Sequence, residues 1–144
     1  MSIKPINVVL NVEPVAKGRA RVVIKGGRAM AYTPEKTRTA ETEIRLMIRQ
    51  HLMNSLHLFD GEQYFPAEMP LRMEALFLVP RPPSAPTKRF FPVNRPDCDN
   101  YLKTLLDSLN KFIFADDSQL TTIIVKKRYG LIPSIHLRIE EDKQ

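Results

Sequence analysis

Apolar residues recur along this chain with two different periods, and these predict strands and helices in different segments. In 71–79 the apolar residues first alternate with polar ones and then run continuously, which is typical of a strand near the centre of a sheet. A hairpin is predicted where two short apolar runs, 21–24 and 29–32, flank a Lys-Gly-Gly-Arg turn. The remaining predicted strands are 6–12, 121–128 and 134–140.

Two other segments have apolar residues three and four positions apart, which predicts amphipathic helices. The first follows Thr33, a cap residue, and Pro34, which suits the first helical position, and we expect it to reach about His51 or further. Its apolar face consists of Ile44, Met47, Ile48, Leu52 and Leu56. The stripe of the second helix consists of Leu102, Leu105, Leu106, Leu109, Phe112 and Ile113.

These elements predict an α+β fold, with a mixed sheet of about four to six strands and two main helices. The chain has 144 residues, of which 43% are hydrophobic, so it can bury the core of one domain spanning 1–144. The segment 80–96 contains six prolines and is predicted to be an irregular loop.

Charge and composition narrow the class of protein. The net charge of +6 and the pI of about 9.6 favour an anionic partner. No apolar run is long enough to span a bilayer, no signal peptide is recognisable, and a single cysteine cannot form an internal disulfide. We therefore expect a cytoplasmic protein without a membrane partner.

Acidic residues gather around the second helix in this otherwise basic chain. Asp97 and Asp99 stand at its predicted beginning, and Asp116 and Asp117 follow its predicted end. Carboxylates that lie close together remain ionised when a cation lies among them, and a hard divalent ion is the natural candidate. The alternative is that Asp97 and Asp99 only cap the helix and that Asp99 forms an ordinary ion pair with Lys103, four residues later.

The same residues form a longer pattern that resembles a known family. It consists of Arg95, Asp97, Asp99, Asn100, Lys103 and Asp107, then Asp116-Asp117, then a strand containing Lys126-Lys127. This pattern resembles the RusA family of Holliday junction resolvases. Weaker agreement extends to 12–21, which resembles the first strand and basic loop of that family, and to 32–34, which resembles its helix start.

The resemblance implies roles for individual residues. Asp97, Asp99 and Asp117 would be the metal-binding carboxylates, with Asp116 as a neighbouring ligand, and Lys103 would be a catalytic cation. The roles of Asn100 and Asp107 stay open. The expected cofactor is Mg²⁺, one or two ions per site, with Mn²⁺ as a substitute. Cys98 is expected to be a small buried side chain, since such hard ions prefer oxygen ligands.

Two groups of cations contain no acidic residue, and we predict that they contact DNA phosphates. The first group runs from Lys17 to Arg28 and contains both of these residues together with Arg19, Arg21 and Lys25. The second group consists of Lys88, Arg89 and Arg95. The alternative is that these side chains simply solvate exposed loops. Phe90 and Phe91 are expected either to wedge against bases or to be buried under the proline-rich loop.

Together with the basic charge and the acidic residues, the resemblance implies a Mg²⁺-dependent, structure-specific endodeoxyribonuclease that resolves Holliday junctions in recombination and repair. A four-way junction is approximately two-fold symmetric and must be cut in two strands, so a homodimer is expected. Another branched-DNA or flap nuclease of the same family is the first alternative. The second is a non-catalytic basic DNA-binding protein whose acids are only helix caps.

Overall fold

The computed structural model of the protein describes residues 3–19, 21–55, 63–86 and 88–143, and for Arg21 it describes the backbone alone. The strands are β1 (Ile6–Leu10), β2 (Arg21–Lys25), β3 (Arg28–Tyr32), β4 (Leu71–Val79), β5 (Leu120–Tyr129) and β6 (Ser134–Glu141). The helices are α1 (Glu35–Asn54) and α2 (Cys98–Leu109), and a short 3-10 helix (Asp117–Gln119) precedes β5. The predicted α+β class and both predicted helices are confirmed, whereas Leu56 lies outside the described residues.

Four strands form the main sheet in the order β1-β6-β4-β5. β5 runs parallel to β4, while β6 is antiparallel to both β1 and β4. The sheet is therefore mixed, as predicted. Because β4 and β5 are parallel neighbours, α2 is the crossover between them and runs back along the sheet from the end of β4 to the start of β5.

One face of this sheet is buried under the two helices. Every second residue of β4 is buried from Leu71 to Val79, and the residues between them are half-buried. The core joins this face to α1 through Ile44, Ile48 and Leu52 and to α2 through Leu105 and Leu109. The sequence of β4 predicted a central strand, and the strand is central, although only one of its faces is fully covered.

Both helices differ from prediction at one end. Pro34 has an extended backbone (ψ 145°) and occupies the N-cap position, so α1 begins one residue later than predicted. The second helix ends at Leu109, so the prediction that its stripe continues helically to Phe112 and Ile113 is wrong. Lys111 adopts a positive φ of 60°, which turns the chain, and both apolar residues reach the core from this turn.

The predicted hairpin is confirmed, and it forms a separate two-stranded sheet of β2 and β3. Gly26 and Gly27 have φ values of 56° and 78°, the left-handed conformation that a tight hairpin turn of this type requires. Val22 and Ile24 are 66% and 78% exposed, so this hairpin does not bury an apolar face against the domain. Among the described residues, no helix is long and apolar enough to cross a membrane.

Candidate active site

Asp97 and Asp99 lie at the beginning of α2. Asp97 is the N-cap residue, and its carbonyl oxygen accepts hydrogen bonds from the N–H groups of Asn100 (3.1 Å) and Tyr101 (3.3 Å). Its side chain makes no capping hydrogen bond, and within the described part of the chain its carboxylate has no hydrogen bond or ion pair. The cap alternative therefore does not account for the carboxylate of Asp97, which is exposed and available to a ligand.

The ion pair between Asp99 and Lys103, which the capping alternative also predicted, is present. Lys103 Nζ lies 3.7 Å from Asp99 Oδ2, and these side chains are 60% and 64% exposed. An exposed pair at this spacing contributes about 0.3–0.5 kcal/mol to stability, so it constrains neither side chain strongly. Both remain free to rearrange around a metal ion or a phosphate.

Asp116 and Asp117 lie at the other end of α2, before β5. The carboxylate of Asp116 accepts a hydrogen bond from the N–H of Ser118 (3.1 Å), which holds the pKa of Asp116 below its usual value. Gln119 Oε1 in turn accepts from the N–H of Asp116 (3.3 Å), which completes a capping box. Asp116 is therefore engaged in holding the 3-10 helix, whereas the carboxylate of Asp117 is exposed and has no hydrogen bond or ion pair with the described residues.

The two acidic pairs are far apart within one chain. They stand at opposite ends of α2, which has 12 residues and therefore a length of about 18 Å. Across the described ranges, no group of three or more His, Cys, Asp or Glu residues is arranged to hold a metal ion. A single chain thus does not bring the predicted metal ligands Asp97, Asp99, Asp116 and Asp117 together.

The proline-rich loop before Asp97 is irregular, as predicted, and it is fastened to the end of β5. Arg81 donates to the carbonyl oxygens of Pro86 and Arg89, and its guanidinium lies 5.1 Å from the ring centre of Tyr129. The guanidinium of Arg128 lies 4.8 Å from the ring centre of Phe91. The contacts of Arg81 with Tyr129 and of Arg128 with Phe91 join residues that are distant in the chain, so no local pattern in the sequence could indicate them.

Side-chain exposure tests two expectations from the sequence, one for Phe90 and Phe91 and one for Cys98. Phe90 and Phe91 are 80% and 54% exposed, so the alternative that they are buried under the loop is wrong. Lys88 and Arg95 are exposed, while Arg89 is half-buried. Cys98 is half-buried rather than buried.

Lys17, a predicted DNA contact, occupies an ion-pair network instead of standing free in solvent. Its Nζ lies 2.7 Å from Asp107 Oδ2 and 3.3 Å from Glu41 Oε1. The backbone N–H of Lys17 donates to the carbonyl oxygen of Asn100 (2.9 Å). Burial alone would lower the pKa of Lys17, but the hydrogen bond to Asp107 and the charges of Asp107 and Glu41 outweigh it and raise the pKa above 10.5.

This network connects the N-terminal segment to both helices. Arg45 on α1 adds hydrogen bonds to the carbonyl oxygens of Asp107 (2.9 Å) and Ser108 (3.1 Å) on α2. Arg19, two residues after Lys17, is exposed, and the side chain of Arg21 lies outside the described residues. Sequence analysis missed the network because its members are distant in the chain.

Aromatic packing holds the first turns of α2 on the sheet. The ring of Tyr101 stacks on Phe77 of β4 with ring centres 5.5 Å apart, and Tyr101 is buried. Burial raises the pKa of the Tyr101 phenol, so the hydroxyl stays neutral at physiological pH. The start of the helix that carries Asp97 and Asp99 is thereby fixed relative to β4.

A basic protein favours an anionic partner such as nucleic acid, and exposed carboxylates are the ligands of metal ions that hydrolyse phosphodiesters. Comparison with known families agrees with this class, because the family model described as "Endodeoxyribonuclease RusA" matches residues 11–140. The chain is also similar to "Uncharacterized protein YqaN" of Bacillus subtilis (strain 168), with 30% identity over 139 residues that cover 90% of this chain and 91% of that protein.

The chain therefore belongs to the RusA endodeoxyribonuclease family, as its sequence pattern indicated. It is an endodeoxyribonuclease, a hydrolase that cuts DNA internally. Enzymes of this family are Holliday junction endonucleases and are generally metal-dependent.

Proposed function

We propose that the protein is a Mg²⁺-dependent, structure-specific endonuclease that resolves Holliday junctions during DNA recombination and repair. We further propose that it acts as a homodimer in the cytoplasm. The observation that carries this proposal is the placement of Asp97 and Asp117, two exposed carboxylates without partners among the described residues, at the two ends of α2 in a chain of this family.

The donor set suits a hard cation. Asp97, Asp99 and Asp117 offer only carboxylate oxygens, which Mg²⁺ and Mn²⁺ prefer, and Mg²⁺ keeps several waters, so a few protein ligands suffice for one or two ions. When bound, the metal supplies an activated water and neutralises charge on the phosphoryl oxygens. Asp116 is proposed as a neighbouring ligand, although its capping hydrogen bond competes with that role.

Lys103 is the cation proposed to act in the chemical step. It lies one turn after Asp99 and is 60% exposed, and its one ion pair with the described residues is the long contact of 3.7 Å with Asp99. Its ammonium can therefore leave Asp99 when a phosphate arrives, and it can then stabilise the negative charge that develops in the transition state.

The distance between the acidic pairs supports a dimer. One chain keeps Asp97 and Asp117 at opposite ends of a helix about 18 Å long, and this separation exceeds what one or two metal ions can bridge. In a two-fold dimer, Asp117 of the second copy can approach Asp97 and Asp99 of the first, and symmetry then creates two equivalent sites. Two sites match the two strands that must be cut.

Exposed cations are proposed to hold the DNA backbone. Arg19, Lys88 and Arg95 have no acidic partner within the described ranges. Lys88 and Arg95 lie in the loop that leads to Asp97, and Arg19 lines the same pocket as Pro96 of that loop. Arg21 and Arg89 are proposed to add contacts, whereas Lys17 is already engaged with Asp107 and Glu41. These contacts provide affinity without reading sequence.

The test is cleavage of a labelled four-way junction, a flap and a matched duplex, each with and without Mg²⁺. We expect paired cuts in the junction that require the metal. Asp97→Asn should abolish cleavage while junction binding is retained, and Glu43→Gln on α1 is the matched control for removing an exposed carboxylate. Preferential cutting of the flap would favour the first alternative, and metal-independent binding without cleavage of any substrate would refute the proposed activity.

A further inference from the structure

The ammonium group of Lys127, near the end of β5, is hydrogen-bonded to the loop that leads into α2. Its Nζ donates to the carbonyl oxygens of Asn94 and Pro96, each at 2.9 Å. Lys127 pairs in register with Phe77 of β4, so its half-buried side chain lies on the sheet face that α2 covers. We propose that Lys127 is a positioning residue that fixes the backbone carrying Asp97, an inference that rests on the proposed metal site.

The bond to Pro96 acts directly on Asp97. The carbonyl of Pro96 and the nitrogen of Asp97 belong to the same planar peptide unit, so holding this oxygen fixes the orientation of the unit. Asp97 has no capping hydrogen bond that would orient its carboxylate by itself. The direction of the carboxylate therefore depends on the backbone before it.

The segment just before Asp97 is not held by regular secondary structure. Among the described residues, no backbone N–H donates to the carbonyl oxygens of Asn94 and Pro96, which therefore need side-chain donors or water. Lys127 provides one donor group for two of these oxygens, at a point one and three residues before Asp97. On the other side of Asp97, the stacking of Tyr101 on Phe77 holds the first turn of α2, so both flanks of Asp97 are tied to the same region of the sheet.

The neighbouring Lys126 provides a matched control. It is exposed, pairs in register with Leu76, and lies on the opposite face of the sheet beside Glu74. The two lysines thus have the same chemistry and nearly the same position in the chain, but only Lys127 reaches the loop before Asp97.

The experiment compares wild-type protein with Lys127→Met, Lys127→Arg and Lys126→Met, all without DNA. Mn²⁺ affinity is measured by electron paramagnetic resonance, and amide hydrogen exchange is measured over residues 90–97. Loss of an outer hydrogen-bond partner commonly weakens metal binding about 10–100-fold. We expect that loss in Lys127→Met together with faster exchange in the loop, a smaller loss in Lys127→Arg, and wild-type behaviour in Lys126→Met.

The outcomes separate this inference from the proposed function. Wild-type affinity and exchange in Lys127→Met would overturn the inference, and so would weakened affinity with unchanged exchange, because Lys127 would then act on the metal by its charge alone. If Lys127→Met does not fold, comparing the Mn²⁺ affinity and amide exchange of Lys127→Arg with those of wild type tests the inference in the same way. Absence of Mn²⁺ binding by the wild-type protein would instead refute the metal site itself.

Discussion

The separation of the two acidic pairs leads to a test by mixing two inactive variants. Asp97→Asn and Asp117→Asn should each abolish cleavage as homodimers, since each removes a proposed metal ligand from both sites. If a site takes Asp97 from one copy and Asp117 from the other, a heterodimer of the two variants contains one site with both substitutions and one site with none. Two inactive proteins together should then regain activity.

The expected recovery follows from counting sites. Random pairing of equal amounts gives about half heterodimers, and each has one intact site of two, so about a quarter of all sites should be active. A heterodimer purified through two different affinity tags should reach about half the wild-type rate of single-strand nicking. It should not make paired cuts in one binding event, because the second site is inactive.

The assay is nicking of a labelled four-way junction in Mg²⁺ by the co-expressed, doubly tagged heterodimer. Each homodimeric variant, purified in the same way, gives the background. A heterodimer as inactive as its parents would refute the shared site, since a site formed within one chain always retains one of the substitutions. Activity in either homodimeric variant would refute the role of the carboxylate that it lacks.

Three further predictions concern lysine and arginine side chains. Lys17→Met should lower the free energy of unfolding by about 1–3 kcal/mol at pH 7, because the side chain of Glu41, which is only 13% exposed, loses its partner. Arg19→Met should change the free energy of unfolding little, and urea denaturation measures both variants. The raised pKa of Lys17 means that its stabilisation is complete below pH 10.5 and is lost as the pH rises through the higher folded-state value. Lys103→Ala should slow cleavage at saturating protein far more than it weakens junction binding, as single-turnover rates would measure. Replacing Arg19 and Arg95 together by Ala should lower the slope of log affinity against log salt by about 0.9 for each duplex phosphate that the protein no longer neutralises.

Each of these has a clear contrary result. Equal stabilities of the Lys17 and Arg19 variants would mean that the ion-pair network contributes nothing measurable. Unchanged turnover in Lys103→Ala would leave Lys103 as an ordinary partner of Asp99. A salt slope equal to that of wild type would place Arg19 and Arg95 away from the DNA backbone.

Local patterns were sufficient to predict most of the secondary structure. The alternation in β4 and the Gly-Gly turn of the hairpin depend on neighbours within a few residues, so both could be predicted from the sequence alone. The end of α2 was predicted too late because Phe112 and Ile113 continue the helical spacing by chance, although they reach the core from a turn. Periodicity records which residues are buried, and it does not record the backbone conformation that buries them.

The sequence by itself determined the family, the chemistry of the acidic residues and the excess of positive charge, because each of these depends only on which residues are present and in what order. The tertiary structure decided where those residues meet. It placed Asp97 and Asp117 at opposite ends of α2, engaged Lys17 with Glu41 and Asp107, and brought Lys127 to the loop before Asp97. These relations join residues that are distant in the chain, so they depend on packing that no local pattern records; the crossover of α2 between parallel strands, for example, separates Asp97 from Asp117.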